Sequence, residues 1–197
     1  MNKWEQLNKI LEENRGYIKT ADLKKGDIPK PVFYNFVFEN NLTNVSHGLY
    51  MAEDIWRDDL YVLQTRYPVL VFSHEVAAYL LDLVDREPLV ISTTLPTGSS
   101  SSRLNKEGIK VYKIKQELFE LGLSETETPM GNLVRIYNLE RTLCDLIRNR
   151  RNIENQDLQT VIKNYFTRKD KNIPRLMRYA EMFSITNIIR QYTDILL

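Results

Sequence analysis

A short segment near the N-terminus concentrates side chains that could bind a nucleic acid. Lys24, Lys25 and Lys30 supply ammonium groups, which neutralise phosphate oxygens. Asn35 carries an amide that can form two hydrogen bonds with one base edge, and Tyr34 can stack on a base or donate a hydrogen bond. These side chains can act together only if the fold places them on one surface.

A second group of candidate residues lies in the sequence YNLERTLCDLIR. Arg141 and Asp145 are four residues apart on a predicted helix, so they are expected to form an ion pair. The outer side of this helix is predicted to be charged and its apolar stripe to face the core. Because general acid–base work or metal-assisted hydrolysis needs further convergent groups, a structural role for Glu140, Arg141 and Asp145 is favoured. The alternative is a metal-dependent enzyme acting on nucleic acids.

The chain offers few ligands for a metal. It contains one cysteine, Cys144, and two histidines, His47 and His74, which excludes a disulfide framework and a cysteine-rich zinc site. Cys144 is predicted to fill the core, since no histidine close to it in sequence could activate the thiol. We predict no metal, no cofactor and no catalytic residue.

Three helices are predicted to position the N-terminal side chains. Apolar residues recur at helical spacing over residues 3–14, which indicates a first amphipathic helix. Thr20 is a good N-cap for a short second helix over residues 21–25. Pro31 suits the first turn of a third helix, which is expected to end near Glu39 and to turn Phe33 and Phe36 inward.

A hairpin completes this N-terminal pattern. Residues 42–45 and 48–52 are predicted strands joined by a turn at Ser46 and His47, where Gly48 can adopt a positive φ. Three helices followed by a hairpin are typical of a winged helix-turn-helix, which places its third helix in the major groove of DNA. The residues predicted to contact DNA are Lys3, Arg15, Lys19, Lys24, Lys25, Lys30, Tyr34, Asn35 and His47.

A winged helix that contacts only proteins would have the same helices and a similar scatter of lysines. This alternative predicts no sequence-specific affinity for DNA, and an exposed Phe38 would favour it. His47 is interpreted as a turn residue rather than a metal ligand.

Residues 53–197 are predicted to form a mixed α/β domain that ends in several helices, which gives an α+β protein overall, with its first domain at residues 1–52. Within it we predict a largely buried helix from His74 to Asp85 and a strand from Leu89 to Thr94. The sequence TGSSSSRLNKEG is interpreted as a flexible loop, because it lacks the lysine and glycine spacing of a phosphate-binding P-loop.

The net charge is close to zero, but the charges are unevenly distributed. Residues 135–190 contain 12 Lys and Arg against 6 Asp and Glu. The predicted basic surface of the C-terminal helices comprises Arg148, Arg150, Arg151, Arg168, Lys169, Lys171, Arg175 and Arg178. Such a surface could contact flanking DNA, RNA or an acidic protein, or could simply be solvated.

Hydropathy places further limits on function. No run approaches the roughly 20 apolar residues of a membrane span, so no membrane partner is expected. The N-terminal sequence MNKWEQLNKILEEN intersperses charges where a secretory signal would be apolar, which predicts a cytoplasmic protein. No long coiled coil is evident, so we expect a monomer that can pair on DNA.

Four sequence segments, in this order, resemble a known family. They are HGLYMA after the predicted wing, SHEVAAYLLDL, ISTTLP and YNLERTLCDLIR. Together with the N-terminal pattern they resemble the AbiEi antitoxins of type IV abortive-infection toxin–antitoxin systems, over nearly the whole chain. The most specific parts are Ser73, His74, Glu75 and Ala78 in one segment and Glu140, Arg141, Thr142 and Asp145 in the other.

The resemblance implies a protein with two roles in phage defence. As an autorepressor it would bind inverted repeats in its own promoter through the N-terminal domain. As an antitoxin it would use the C-terminal domain to counter a nucleotidyltransferase toxin without forming a stable complex with it. The family offers no catalytic motif to transfer to this sequence.

Overall fold

A computed structural model describes residues 2–24 and 26–196, so Lys25 lies outside the described residues. The fold is a mixed α and β fold, as predicted. Its ten α-helices within the described residues are Lys3–Glu13 (α1), Lys30–Glu39 (α2), Asp59–Arg66 (α3), His74–Leu80 (α4), Ser102–Lys106 (α5), Gln116–Phe119 (α6), Leu139–Arg148 (α7), Asn155–Thr167 (α8), Ile173–Met182 (α9) and Thr186–Leu196 (α10).

Two sheets accompany the helices, the first antiparallel and the second mixed. The strands are Tyr17–Lys19 (β1), Thr43–Ser46 (β2), Leu49–Met51 (β3), Val71–Phe72 (β4), Ser92–Pro96 (β5), Lys110–Ile114 (β6), Leu123–Glu127 (β7) and Leu133–Tyr137 (β8). The first sheet has the order β1-β3-β2 and the second the order β6-β5-β4-β8-β7. Two short 3₁₀ helices, Thr20–Lys24 and Arg150–Asn152, complete the regular structure.

The chain divides into two compact units. The first comprises Met1–Pro68 together with Glu127–Val134, and the second comprises Val69–Thr126 together with Arg135–Leu197. The first unit therefore extends beyond the predicted domain limit at residue 52, because α3 and a distant segment of chain belong to it. No pattern of hydrophobic spacing in the sequence indicates that residues 127–134 join the N-terminal unit.

The first unit has its own apolar core. Leu7 of α1, Ile18 of β1, and Phe33 and Phe36 of α2 are fully buried in it. α1, α2 and the hairpin lie close to the first predicted helix, the third predicted helix and the predicted hairpin, and the 3₁₀ helix Thr20–Lys24 occupies the place of the second; β1 was not predicted. Three residues are too few to show an alternating pattern, and β1 is fixed by its antiparallel pairing with β3, in which Ile18 faces Tyr50.

The hairpin turn needs a glycine. Gly48 has φ +67°, and a Cβ atom there would lie 2.5 Å from the hydroxyl oxygen of Thr20. A larger residue would therefore combine an unfavourable backbone conformation with a steric clash. Thr20 is also tied to the turn by its backbone N–H, which donates to the carbonyl of Gly48 at 2.8 Å.

A buried carboxylate attaches the distant segment to the first unit. Asp58 caps α3 by accepting a hydrogen bond from the backbone N–H of Tyr61, and its other oxygen accepts from the side chains of Thr128 and Asn132. The backbone N–H of Asp58 donates to the Tyr17 hydroxyl at 2.8 Å. One acidic side chain thus joins parts of the chain that are some 70 residues apart.

The second unit is built around α7. Its sheet combines an antiparallel β4–β5 pair with parallel β4–β8 and β5–β6 pairs. Leu143, Cys144 and Ile147 of α7 are buried in a core to which α4, α8, α9 and α10 contribute. The hydrophobic stripe predicted for α7 is confirmed.

Several predictions for the second unit are wrong in their limits. The helix predicted to reach Asp85 ends at Leu80, because Asp82 adopts φ +56° and the Leu83 N–H donates back to the Ala78 carbonyl. The strand predicted from Leu89 begins only at Ser92, and Leu89 is exposed. The loop TGSSSSRLNKEG contains α5, which Leu104 anchors by its burial.

Within the described residues, none of the helices combines the length and apolar character that a membrane span requires. The longest, α8, has 13 residues.

Candidate functional site

The exposed face of α2 brings together the residues predicted to read DNA. Lys30, Tyr34 and Asn35 are all exposed, whereas Phe33 and Phe36 on the opposite side are fully buried. Edge-to-face contacts with Tyr50 and Trp4, at ring-centroid distances of 5.3 and 5.2 Å, fix those two phenylalanines. The helix therefore presents a defined surface of one cation, one amide and aromatic rings.

Other residues predicted to contact DNA already have intramolecular partners. The Lys3 ammonium donates to the Gly26 carbonyl at 3.0 Å, and the Lys19 ammonium lies 4.8 Å from the centre of the Tyr61 ring. Arg15 forms a 3.6 Å ion pair with Glu127. All three contacts lie within the first unit, although the Arg15–Glu127 pair, with both side chains more than half exposed, contributes little to stability.

Lys24 and His47 remain exposed. Lys24 lies at the end of the 3₁₀ helix that precedes α2, and His47 lies at the tip of the β2–β3 turn. The predicted set is thus divided between an accessible group of Lys24, Lys30, Tyr34, Asn35 and His47 and a group engaged within the unit.

In the second unit, the Ser73 and His74 motif forms a buried polar network. His74 has φ +52°, an uncommon conformation for a residue other than glycine. Its Nδ1 lies 2.9 Å from the Ser73 hydroxyl oxygen, which also accepts a hydrogen bond from Thr94 at 2.8 Å. Its Nε2 lies 2.9 Å from the amide nitrogen of Asn149. Because that amide nitrogen can only donate, the hydrogen-bond pattern assigns the imidazole proton to Nδ1.

The His74 ring is also stacked on Tyr112. Their centroids are 3.4 Å apart and their planes are inclined by 11°. Burial lowers the pKa of His74 well below its ordinary value, and the positive charges of Lys110, Arg141 and Arg148 lower it further. The histidine is therefore neutral at neutral pH and serves as a hydrogen-bonding core residue.

Arg141 is fully buried and occupies the centre of the α7 motif. Its Nε donates to Asp145 at 2.9 Å, and its Nη1 donates to the carbonyl oxygens of Leu118 and Leu121 at 2.6 and 2.7 Å. The guanidinium carbon lies 4.0 Å from the Tyr137 ring centre and 4.6 Å from that of Phe183. The predicted ion pair is confirmed.

The prediction that the outer side of this helix is charged is wrong. Every residue of α7 from Glu140 to Ile147 is buried, because α9 and the polar segments around α6 cover the side expected to face solvent. Glu140 accepts hydrogen bonds from the Asn172 backbone N–H at 2.9 Å and from the Tyr165 hydroxyl at 3.3 Å. Arg175 lies 3.3 Å from its second oxygen.

These contacts of Glu140 and Arg141 position α7 against α8, α9 and the segment around α6. Each carboxylate of the motif is neutralised by an arginine, Glu140 by Arg175 and Asp145 by Arg141. Burial raises the pKa of the Cys144 thiol, which makes it a poor nucleophile. Across residues 2–24 and 26–196, no group of three or more His, Cys, Asp and Glu side chains is arranged to hold a metal ion.

The predicted C-terminal basic surface is largely engaged in internal contacts. Arg148 lies 3.6 Å from Asp145 and 4.6 Å from the centre of the Phe183 ring, and Arg168 forms two hydrogen bonds with Asp170. Further members donate to backbone carbonyls or lie against a ring: Arg150 to Ile147, Lys171 to Arg168, and Arg178 over Tyr179. Arg151 and Lys169 are exposed.

The sequence was not expected to bury hydroxyl groups close to His74. Ser92, Thr93 and Thr94 are fully or almost fully buried although each carries a hydroxyl group, and Ser92 and Thr94 bond to Ser73, the neighbour of His74. The Ser92 hydroxyl donates to the Ser73 carbonyl at 2.7 Å and accepts from the Val76 N–H at 3.1 Å. Three successive hydroxyl residues in a predicted strand were the available signal, because a buried strand is otherwise almost entirely apolar.

A shallow cleft of about 330 Å³ lies beside this network in the second unit. Its floor includes Ala78, Leu146 and Val161, and the Glu75–Lys110 ion pair, at 2.9 Å, lies at its polar side. Two residues of the motif, Glu75 and Ala78, therefore contribute to an accessible surface, in contrast to those of α7.

Replacing the buried guanidinium should strongly destabilise the second unit. We expect Arg141→Ala to lower the free energy of unfolding by about 3 to 5 kcal/mol, because it leaves the buried Asp145 with only the partly exposed Arg148, 3.6 Å away, as a counter-charge. Arg141→Lys should recover only part of this loss, since one ammonium cannot reach Asp145 and both carbonyls in the same geometry. Urea denaturation of the full chain measures the effect. The exposed control Arg151→Ala should change it by less than about 0.5 kcal/mol, and equal effects of both alanine variants would contradict the assignment.

The depressed pKa of His74 predicts a loss of stability in acid. Below pH 6.5 the unfolded chain binds a proton at this residue that the folded chain excludes, so acid favours unfolding. The free energy of unfolding should fall by up to about 1.4 kcal/mol per pH unit between pH 6.5 and the folded pKa. His74→Asn tolerates the same backbone conformation and does not titrate. Unfolding free energies at pH 5.5 and 7.5 should differ less in this variant, and an unchanged difference would refute the role of His74.

Comparisons with known proteins bear on the fold. Neither family models nor curated proteins match this sequence. The structure is similar to the crystal structure of the RV2827C protein from Mycobacterium tuberculosis, with a TM-score of 0.58 and 15% sequence identity. The match covers 92% of this chain and 72% of that one. The mixed α and β fold described above is therefore shared with a solved structure.

Proposed function

We propose that this protein is a DNA-binding regulator whose first unit is a winged helix-turn-helix. The single observation that carries the proposal is the exposed face of α2, on which Lys30, Tyr34 and Asn35 lie together. A cation that neutralises phosphate, beside an amide that can pair with a base edge, is the chemistry that sequence-specific binding needs.

The order of elements in the first unit supports this assignment. α1, the 3₁₀ helix and α2 supply three helical segments, and β2 and β3 form the hairpin that corresponds to the wing. The small sheet β1-β3-β2 ties that hairpin to the strand between the first two helical segments. In this arrangement α2 is the recognition helix, and Lys24 and the turn at His47 contact the flanking phosphates.

DNA binding should depend on α2 in two distinguishable ways. We expect Asn35→Ala to reduce affinity for the duplex upstream of the protein's own gene by about 1 to 3 kcal/mol and to reduce discrimination against other sequences. Lys30→Ala should weaken binding to all duplexes and reduce the slope of log affinity against log salt by about 1. Fluorescence anisotropy titrations over a series of salt concentrations measure both effects.

The matched controls are Lys106→Ala and Asn105→Ala, which remove exposed residues of the same types from α5. They should leave affinity and salt dependence unchanged. If all four variants bind as the unsubstituted protein does, α2 is not the recognition helix. If the unsubstituted protein shows no preference for any duplex, the alternative of a protein-contact module is favoured.

We further propose that the second unit carries an antitoxin activity against a nucleotidyltransferase toxin, as the resemblance to AbiEi antitoxins implies. The observation that favours a separate, non-catalytic role is that each motif carboxylate is paired with an arginine, Asp145 with the buried Arg141 and Glu140 with the partly exposed Arg175. The motif then acts as a framework that holds α7, α8 and α9 together, and the cleft beside Glu75 and Ala78 is part of the surface that this framework supports.

The two activities should be separable in the full chain. Co-expression of this chain with a nucleotidyltransferase toxin of the type that the proposal requires should restore growth, and the double variant Lys30→Ala, Asn35→Ala should restore it equally. The reason is that both substitutions remove exposed side chains of the first unit only. Growth curves measure the rescue, with expression of the toxin set by an independent promoter. Failure of the unsubstituted chain to rescue growth would contradict the antitoxin proposal and leave DNA binding unaffected.

A further inference from the structure

The last turn of α2 carries an exposed phenylalanine. Phe38 is 78% exposed, and Tyr34, one turn earlier, is 50% exposed. With about 100° of rotation per residue, Lys30, Tyr34 and Phe38 form one row along the helix, and Pro31 and Asn35 form the next row. Phe38 therefore lies beside the amide that the proposed function assigns to base recognition.

A phenylalanine in this position is solvated at a considerable cost. Burying such a side chain is worth about 1.5 to 3 kcal/mol relative to leaving it in water. The other side of α2 already supplies the packing that fixes the helix, through Phe33 and Phe36. Phe38 thus has no packing role that accounts for an aromatic ring. Its exposure is the feature that favours the protein-contact alternative, whereas its position beside Asn35 on the same face of α2 makes a contact with DNA the competing explanation.

The neighbouring side chains define what a DNA partner offers. Glu39 is the only acid on α2 and lies at its end, and the Asn40 amide is occupied by a 2.9 Å hydrogen bond to the Phe36 carbonyl. The exposed polar groups one turn before Phe38 are therefore the Tyr34 hydroxyl and the Asn35 amide, of which the amide can pair bidentately with a base. A side-chain amide pairs bidentately with adenine, and the apolar group that a duplex displays beside adenines in the major groove is the C5 methyl of thymine.

We infer that Phe38 is a specificity-determining residue that contacts a thymine methyl group, so that α2 selects a duplex site rich in A·T pairs. The inference rests on the proposed DNA binding by α2 and adds the class of sequence that it recognises. Residues three apart on a helix have Cβ atoms about 5 to 6 Å apart, and successive bases of a strand are about 3.4 Å apart. Asn35 and Phe38 can therefore contact neighbouring base pairs at the same time.

Replacing thymine by uracil tests this contact directly, because it removes the methyl group and leaves base pairing intact. The probe is the duplex upstream of the protein's own gene, prepared with thymine or with deoxyuridine throughout. For the unsubstituted protein we expect affinity to fall by about fourfold for each methyl group in contact with Phe38. For Phe38→Ala, affinity for the thymine duplex should fall by a similar factor, and the two duplexes should bind equally.

Two further variants serve as controls for Phe38→Ala. Phe38→Leu keeps an apolar side chain and should retain part of the preference for thymine. Leu89→Ala removes an equally exposed apolar residue from the second unit and should keep the full preference. Sedimentation velocity of each variant reports its oligomeric state in the absence of DNA.

The possible results distinguish the thymine contact of Phe38 from DNA binding by α2. If Phe38→Ala still prefers thymine to uracil, or if the unsubstituted protein binds both duplexes equally, the inference is wrong while DNA binding by α2 stands. If Phe38→Ala alters the oligomeric state and leaves DNA affinity unchanged, the residue is a protein contact and the inference is also overturned. Absence of any duplex binding would refute both.

Discussion

The second unit depends on one buried charge. The Arg141 guanidinium lies among apolar and aromatic side chains, where an unpaired positive charge would be prohibitively costly. Asp145 neutralises it and accepts from its Nε, and the Leu118 and Leu121 carbonyls accept from its Nη1, whereas its Nη2 has no hydrogen-bond partner among the described residues. Because those carbonyls belong to the segment around α6, the requirement to solvate one cation fixes that irregular segment against α7. A well-packed apolar core would not by itself specify this arrangement.

The pairing of buried charges also explains why the α7 motif resembles an active site in sequence and serves as a framework in the structure. Glu140, Arg141 and Asp145 have the residue types of a catalytic centre, and they are spaced so that an arginine and a carboxylate meet on one helix. In the structure each carboxylate is closely paired and none faces a metal-binding arrangement within the described residues. Charged residues at helical spacing predict a solvent-facing side, and the local pattern does not indicate which helices cover it.

Local patterns predicted the local structure well. The periodicity of apolar residues located α1, α2 and α7, and α7 begins after the N-cap Asn138, whose side chain accepts a hydrogen bond from the Arg141 N–H. The predictions failed where long-range pairing decides the conformation, as in β1, which exists only through its register with β3. Exposed Leu89 and Val90 were assigned to a strand by composition alone, although burial on the sheet begins at Ser92. Of the proposed DNA-binding residues, sequence could identify the exposed face of α2, but it could not show that Lys3, Arg15 and Lys19 have partners of their own.

The Asp58 contacts with Thr128 and Asn132 have a consequence for how the protein is made. The first unit is discontinuous in sequence, so the ribosome must synthesise residue 134 before that unit can be complete. Until then the Asp58 carboxylate lacks two of its hydrogen-bond donors. The N-terminal segment remains without these contacts while almost 60 residues of the second unit are synthesised. Contacts of such sequence separation slow folding, because the intervening loop loses conformational entropy before the contact forms. The helix proposed to read DNA therefore belongs to a unit that matures late, after much of its neighbour has left the ribosome.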